Sequence, residues 1–531
     1  MKSLMKKVFA AAAAIATVFG LAATTVATAN AADNATLTVS TTDAKFAGKT
    51  VNAYKMFSAT VSGDGKAVSY TLTDEWKPFF KNSVGLTGVT DENVNDKAND
   101  YVSKLKDSTL VAFATKASNW AQTKANNITA DATATVSADA SNGKYTATFT
   151  GLGYGYYVVA VPGATLANAK SQYATLVSVH STKVDADIKG DLPTVDKKVQ
   201  VDGTGKDATD AKIGDTLTFT LTSTIPDMSA YDTYTFNFKD TLSKGLTYGD
   251  ITSVTVEGVD APLVKDTDYT VTTTPAAAGN TLLTVGMTDF KNKQQTNAGK
   301  KITVTYTATL NENAVVGGAG NVNSAKIQYS NNPSTNGTGE SEPSKVRVFT
   351  YGFTVDKYTG DQYTDAATRL AGAEFTLAHK DGSAISFVQV SAGSATANAV
   401  YRVAKAGETG TTTITTPANG KVVFEGLKNG EYTLTETKAP AGYNKLASAI
   451  GVKVNGQNNG TDTTNATVTI TYNNDNGNDY NQTASNGVIP VQNKSGAILP
   501  GTGGMGTIAF TVIGVLVIAL GVAWTLKRKN A

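Results

Sequence analysis

The sequence predicts an all-β protein of three consecutive domains, the first with a helical insertion, set between two terminal segments of different character. Three observations carry this. Short stretches of alternating apolar and polar residues recur along the chain, separated by Gly and Asn, the usual punctuation between strands. Helical spacing of apolar residues stands out in one region, Asn99–Ala125. The 531 residues include no cysteine, so a disulfide framework is excluded and the domains must be held by other means.

Lys2, Lys6 and Lys7 precede the apolar run VFAAAAAIATVFGLAA and the small-x-small site Ala29-Asn30-Ala31. This is the form of a cleaved secretory signal peptide over 1–31. A second apolar run, Met505–Leu526, is long enough to span a bilayer, and Lys527, Arg528 and Lys529 follow it. An exported chain with this tail is held at the membrane facing outward. About 470 residues lie between, enough for three ordinary domains. The formal charge of +2 includes six basic residues at the two ends, so the body between them carries about −4. That balance argues against a nucleic-acid partner.

The first domain is predicted over 32–190. ATLTVSTT (Ala35–Thr42) and KYTATFTGLGYGYYVVAV (Lys144–Val161) alternate as strands. Pro193 marks the linker that follows. The second domain is predicted over 193–348, with strands in Asp215–Pro226, Asp232–Tyr248, Lys300–Leu310 and Asn323–Pro333 and a Gly/Ser/Pro-rich loop over Asn331–Lys345. The third is predicted over 349–494. Its clearest elements are Ala371–Leu377, Gly420–Tyr443, Ala466–Tyr472 and Gly487–Lys494.

The second and third domains open on a repeated string, Thr194-Val195-Asp196-Lys197 and Thr354-Val355-Asp356-Lys357. Strand parity puts Lys197 on a face with Val195 and Val199, and Lys357 on a face with Phe353 and Val355. A lysine on an apolar face is seldom buried without a partner; the competing reading has the alternation slip and both lysines reach solvent. Other polar residues break apolar faces in the same way. Asp240 follows Tyr234, Phe236 and Phe238, and Asn323 leads Ala325, Ile327 and Tyr329. Glu436 follows Tyr432 and Leu434, and Asn493 follows Ile489 and Val491. Each of these two domains therefore offers a Lys, an acid and an Asn at inward positions.

That trio has a chemistry. Desolvation favours the neutral amine of a buried lysine, and a neutral amine is a nucleophile. A carboxyl removed from water is pushed toward its protonated form and can donate to an amide carbonyl. Held in contact, such groups react with high effective molarity, giving a Lys–Asn amide and ammonia. The competing reading is an ordinary hydrogen-bonded polar cluster.

Several strings resemble a known family. Leu499-Pro500-Gly501-Thr502-Gly503, with the apolar run and basic tail, is similar to the LPxTG sorting signal of Gram-positive surface proteins. EYTLTETKAPAGY (Glu431–Tyr443) resembles the E-box of pilin subunits and Cna B-type domains. GKTVNAYKMF, GLGYGYYVV, DLPTVDKKV and KDTLSKGLTY resemble segments of sortase-assembled fimbrial backbone subunits. The likeness extends over nearly the whole chain.

The resemblance implies tandem Ig-like β-sandwiches, Cna A-like in the second domain and Cna B-like in the third. It implies intramolecular amides from Lys197 to Asn323 with Asp240 as the catalytic acid, and from Lys357 to Asn493 with Glu436. Lys198, Asn321 and Asn331 are rivals in the second domain, and no trio is named for the first. It further implies a backbone subunit of a covalent, wall-anchored pilus supporting adhesion. A pilus-specific sortase would cleave between Thr502 and Gly503 and join Thr502 to a lysine of the next, identical subunit. Accessory or tip pilins and peptidoglycan are the other implied partners. The family's Tyr-Pro-Lys motif is missing at the end of the first domain, where Lys189 is the first candidate and Lys183 the second. The alternative is a monomeric or accessory wall-anchored adhesin for a host matrix protein or glycan. Apart from self-catalysed amide formation no enzyme activity is implied. His180 and His379 are the only histidines and fall in different domains; no metal site and no cofactor is predicted.

Overall fold

The computed structural model describes residues 34–529 apart from 64, 166–173, 334, 365–366, 458–465, 475–478 and 496–505. The predicted signal peptide (1–31) and Leu499, Pro500, Gly501, Thr502 and Gly503 lie outside the described residues.

In the first domain, Ala35–Thr41 pairs antiparallel with Tyr145–Leu152 and parallel with Lys183–Asp187. A second sheet runs Val68–Leu72, Thr50–Val61, Gly155–Ala160, Ala174–Val179, with Ala132–Thr135 also on Thr50–Val61. Every residue of Gly155–Ala160 is buried because the strand packs on both faces. Tyr157 and Val159 face the sandwich core, while Tyr156, Val158 and Ala160 face a helical layer. That layer buries Trp76, Phe79, Phe80, Phe113 and Ala117. The predicted helical region is two helices, Val94–Ser103 and Asp107–Gln122. They break at Lys104–Lys106, and Asp107 takes a left-handed φ of 45° that no continuous helix accommodates.

The second domain is a sandwich. One sheet runs Thr204–Lys206, Asp196–Val201, Thr216–Thr224, Lys301–Leu310, Leu246–Val256. The facing sheet runs Ala208–Asp210, Ser344–Phe349, Asn321–Ser330, Phe236–Leu242, Thr281–Met287, Tyr269–Pro275, with Thr338–Glu340 on Asn321–Ser330. Strict alternation of buried and half-buried positions in Phe236–Leu242 and Lys301–Leu310 sends their apolar residues inward.

The third domain has the same two-layer plan. One sheet is built on Tyr351–Thr359, flanked by Lys421–Leu427 and, in parallel, by the final strand Val488–Gln492. The other runs Ile414–Thr415, Glu374–His379, Gly430–Lys438, Ile450–Gln457, Thr467–Asn473, Gln482–Thr483.

The second and third domains share one continuous buried apolar cluster, whereas the first has two of its own. The backbone N–H of Ile213 donates to the Gly426 carbonyl, and Asn429 donates to both carboxylate oxygens of Asp210. Gly426 has φ +82°, and a Cβ there would lie 2.6 Å from the Ile213 side chain, so the close approach requires glycine. Lys405 pairs with Glu312 at the rim. The first domain meets the second through fewer, polar contacts: Asn119 donates to Ser229, and the Asp227 N–H to Thr165. A helix over Gly506–Lys529 closes the chain and is long and apolar enough to cross a membrane.

Candidate functional site

Lys197, Asp240 and Asn323 all have zero exposure. Lys197 lies in Asp196–Val201, in one sheet of the second domain, and Asp240 and Asn323 lie on adjacent strands of the other. Lys197 Nζ is 2.5 Å from Asp240 Oδ2. The Tyr306 hydroxyl sits between the three groups. It accepts from Lys197 Nζ at 2.8 Å and from Asn323 Nδ2 at 2.6 Å, and donates to Asp240 Oδ2 at 2.5 Å. The rings of Phe219 and Tyr306 stack, with Lys197 Nζ 5.3 and 5.1 Å from their centroids. Burial pulls the Lys197 amine down to about 8, against the attraction of Asp240. Burial drives the Tyr306 phenol far above its ordinary value. Asp240 Oδ1 and Asn323 Oδ1 are both buried without a hydrogen-bond partner. Two unpartnered acceptors in a dry site are costly.

The third domain brings together Lys357, Glu436 and Asn493, all buried. Lys357 Nζ lies 3.2 Å from Glu436 Oε1 and donates to the Val491 carbonyl at 3.3 Å. Asn493 Nδ2 donates directly to Glu436 Oε2 at 3.0 Å and to the Asn444 carbonyl at 2.8 Å. Glu436 Oε2 also accepts from the Leu446 N–H at 2.7 Å, which fixes the carboxylate. Burial again pulls the lysine down to about 8, opposed by Glu436. Glu436 Oε1 and Asn493 Oδ1 form the matching pair of buried acceptors without a hydrogen-bond partner. The 3.2 Å approach of Lys357 to Glu436 Oε1 is an ion pair poorly aligned for a hydrogen bond.

Each cluster thus gathers an amine, a carboxyl and a carboxamide out of water, joined through the Tyr306 hydroxyl in the second domain and through the Glu436 carboxylate in the third. The rivals in the second domain are differently placed. Lys198 is partly exposed and paired with Asp196 and Asp207. Asn321 is consumed by backbone bonds to Val315 and Val348, and Asn331 packs against the Gly163 and Gly337 turns.

Two residues escaped the sequence reading. Tyr306 lies on the inward face of Lys301–Leu310 with Ile302, Val304 and Ala308; a tyrosine in that row needs a partner for its hydroxyl, and that was the available signal. Asp356 is fully buried beside Lys357, where Arg369 Nε reaches it at 2.7 Å and the Tyr363 hydroxyl at 2.9 Å.

Two stretches of the chain match family models. Residues 213–333 match Gram-positive pilin backbone subunit 2, Cna-B-like domain, and residues 361–469 match the SpaA prealbumin-like fold domain. The second domain thus contains a Gram-positive pilin-backbone match and the third a prealbumin-like one. For the second domain of the chain, residues 213–333, the matching family is described as Cna-B-like, where a Cna A-like fold was expected. The trypsin-resistant surface T6 protein of Streptococcus pyogenes serotype M6 is 27% identical over 274 residues, 48% of this chain. The match spans 44% of that protein's length. Among solved structures, the T6 backbone pilin of serotype M6 Streptococcus pyogenes is 18% identical with a TM-score of 0.45, covering 87% of this chain and 99% of that one. The full-length major pilin SpaD of Corynebacterium diphtheriae is 21% identical with a TM-score of 0.39, covering 77% and 88%.

Of the candidate linking lysines, Lys183 is exposed at the start of the strand Lys183–Asp187. Lys189 follows that strand, with its amine 3.5 Å from Asp187. It borders a groove of 260 Å³ lined by Ser40, Thr41, Thr42, Lys144, Asp187 and Ile188. Among the described residues no group of acidic, histidine or cysteine side chains is arranged to hold a metal.

Proposed function

We propose that this chain is a structural backbone subunit of a covalently polymerised, wall-anchored pilus, and that its second and third domains are each locked by a Lys–Asn amide. The observation that carries the reading is the pair of buried Lys–acid–Asn clusters, one in each of the two domains that contain a family match. In the second domain, Lys197 hands a proton to Asp240 and its free amine attacks Cγ of Asn323. Asp240 lends that proton to Oδ1 as charge develops there, Nζ gives up one of its own protons to Nδ2, the C–N bond to Nδ2 breaks and ammonia leaves, and Oδ1 returns its proton to Asp240 as the carbonyl re-forms. Lys357, Glu436 and Asn493 follow the same course. The new bonds replace the disulfides that a cysteine-free exported chain lacks.

Polymerisation is proposed to use the two ends of the body. A pilus sortase forms an acyl intermediate at Thr502, releasing Gly503 and the membrane helix, and a lysine of the next subunit attacks it. Lys189 is favoured over Lys183 because its amine is held only loosely beside a groove. Adhesion to a host matrix protein or glycan, and accessory or tip pilins as partners, belong to the same proposal.

Mass spectrometry of the full-length chain tests the internal amides. Tryptic maps should contain Lys197–Asn323 and Lys357–Asn493 linked peptides, each lighter than its linear parts by one ammonia. Fully linear peptides would overturn the amide reading. In cells with the sortase, Lys189→Ala should abolish the high-mass ladder on a denaturing gel. A single band from the unaltered chain would favour the monomeric adhesin instead.

A further inference from the structure

Resting on the amide reading above, we propose that Tyr306 is a catalytic residue of the second domain, relaying the proton that the departing ammonia needs. The two clusters solve the same problem with carboxyl groups of different length. In the third domain the Glu436 carboxylate touches both Lys357 and the leaving nitrogen of Asn493. A single acid therefore serves both ends of the reaction. In the second domain the acid is an aspartate, one methylene shorter. Asp240 pairs with Ala325 on the neighbouring strand, and Asn323 stands two residues along on the same face, a diagonal separation of about 7–8 Å between Cα atoms. The hydrogen bond from Asn323 Nδ2 goes to the Tyr306 hydroxyl. That hydroxyl also receives Lys197 Nζ and donates to Asp240. It is the one group in contact with nucleophile, acid and leaving group.

The proton count closes. Attack by the neutral amine leaves an excess proton on Nζ, while Nδ2 loses its amide resonance and gains a basic lone pair. Nζ passes its proton to Tyr306 Oη, and the hydroxyl, turning about its C–O bond, passes its own to Nδ2. The C–N bond then breaks and ammonia departs, Oδ1 returns its proton to Asp240, and the amide and an unchanged tyrosine remain. Because burial holds the phenol far above its ordinary value, Tyr306 relays through its neutral form and never stores charge. In the third domain an aromatic ring also stands by the lysine, that of Phe375, 5.9 Å from Lys357 Nζ. It carries no hydroxyl, consistent with Glu436 doing both tasks.

The test follows amide formation in the full-length chain by pulse labelling and tryptic mapping, with the Lys357–Asn493 bond as internal reference. Tyr306→Phe should slow the Lys197–Asn323 bond by at least about tenfold, the lower side of general acid–base effects, and leave the reference bond unchanged. Adding Asp240→Glu, which restores the reach of the acid, should recover part of the rate. Wild-type pace in Tyr306→Phe would overturn the relay while leaving the amide reading intact. A wild-type chain with no Lys197–Asn323 bond at all would instead overturn that reading. Should Tyr306→Phe fail to fold, 3-fluorotyrosine placed at position 306 keeps the packing and the hydroxyl but makes the phenol more acidic. A several-fold change in rate supports the relay, and an unchanged rate overturns it.

Discussion

The second and third domains open on the same four residues and build their clusters with opposite wiring. In the second, Lys197 stands alone on one sheet, and acid and Asn share the other. In the third, Lys357 and Asn493 share a sheet through the parallel pairing of Tyr351–Thr359 with Val488–Gln492, and Glu436 comes from the opposite sheet. One prospective amide thus staples two layers together, and the other staples the first strand to the last within a layer. The aspartates of the repeated string diverge too. Asp196 is largely exposed beside Lys198, whereas Asp356 is fully buried under Arg369 and Tyr363. The chemistry depends on contact and dryness among three groups, and more than one strand order delivers both.

The sharpest way to break the comparison is to remove either lysine. Lys197→Ala and Lys357→Ala should each lose the amide and also strand a buried carboxylate, so stability should fall by well over 5 kcal/mol, read from urea unfolding. Asn323→Ala and Asn493→Ala lose only the cross-link. Each closes a loop of more than a hundred residues, for which the chain-entropy account gives about 5 kcal/mol. Equal losses in the two domains would show that crossing between sheets confers no advantage over pairing within one.

Next in size is a pH effect in the unlinked variants. In Asn323→Ala, Lys197 keeps a folded-state value of about 8 against 10.5 for the free side chain. Between those values the unfolded chain binds more protons, so stability should rise with pH from about 8 to 10.5, by about 3 kcal/mol in all. Flat stability across that window would contradict a desolvated amine. Amide formation itself should slow above about pH 8, because the amine–carboxyl pair then loses the proton that the Asn carbonyl must receive.

Arg369→Ala removes the main partner of buried Asp356 and should cost about 3 kcal/mol with no change in the mass of the third domain's linked peptide. The smallest effect is expected at Lys198→Ala. This surface lysine is adjacent to Lys197 in sequence, and its loss should shift stability by less than about 1 kcal/mol.

Much of the architecture was legible in alternation. The inward rows ending at Asp240, Glu436 and Asn493, and the row beginning at Asn323, follow from period-two patterning. The repeated string drew notice to Lys197 and Lys357, and both lysines are fully buried. Three features were hidden for physical reasons. The wiring difference depends on which strands become neighbours, and parity along one strand carries no such information. Tyr306 does not stand out from the core residues of its strand, because a ring and a hydroxyl give one hydropathy signal. Asp356 occupies the face opposite Lys357, and its burial comes from Arg369 on a short strand, Thr368–Arg369, that pairs with Tyr358. Period-two reading assigns that face to solvent.

Pulling on a fibre would test these sites in another way. Tension entering at the first strand of the third domain could pass from Lys357 straight to Asn493, one residue beyond Val488–Gln492, and bypass everything between. In the second domain the proposed link from Lys197 would end at Asn323, so the Ser344–Phe349 strand lies outside it. The stretch from Asn323 to Lys357 is then the only part of these two domains left to carry the pull through non-covalent structure. At about 3.4 Å per residue its contour is about 115 Å, a length of give between two blocks that the proposed amides would close.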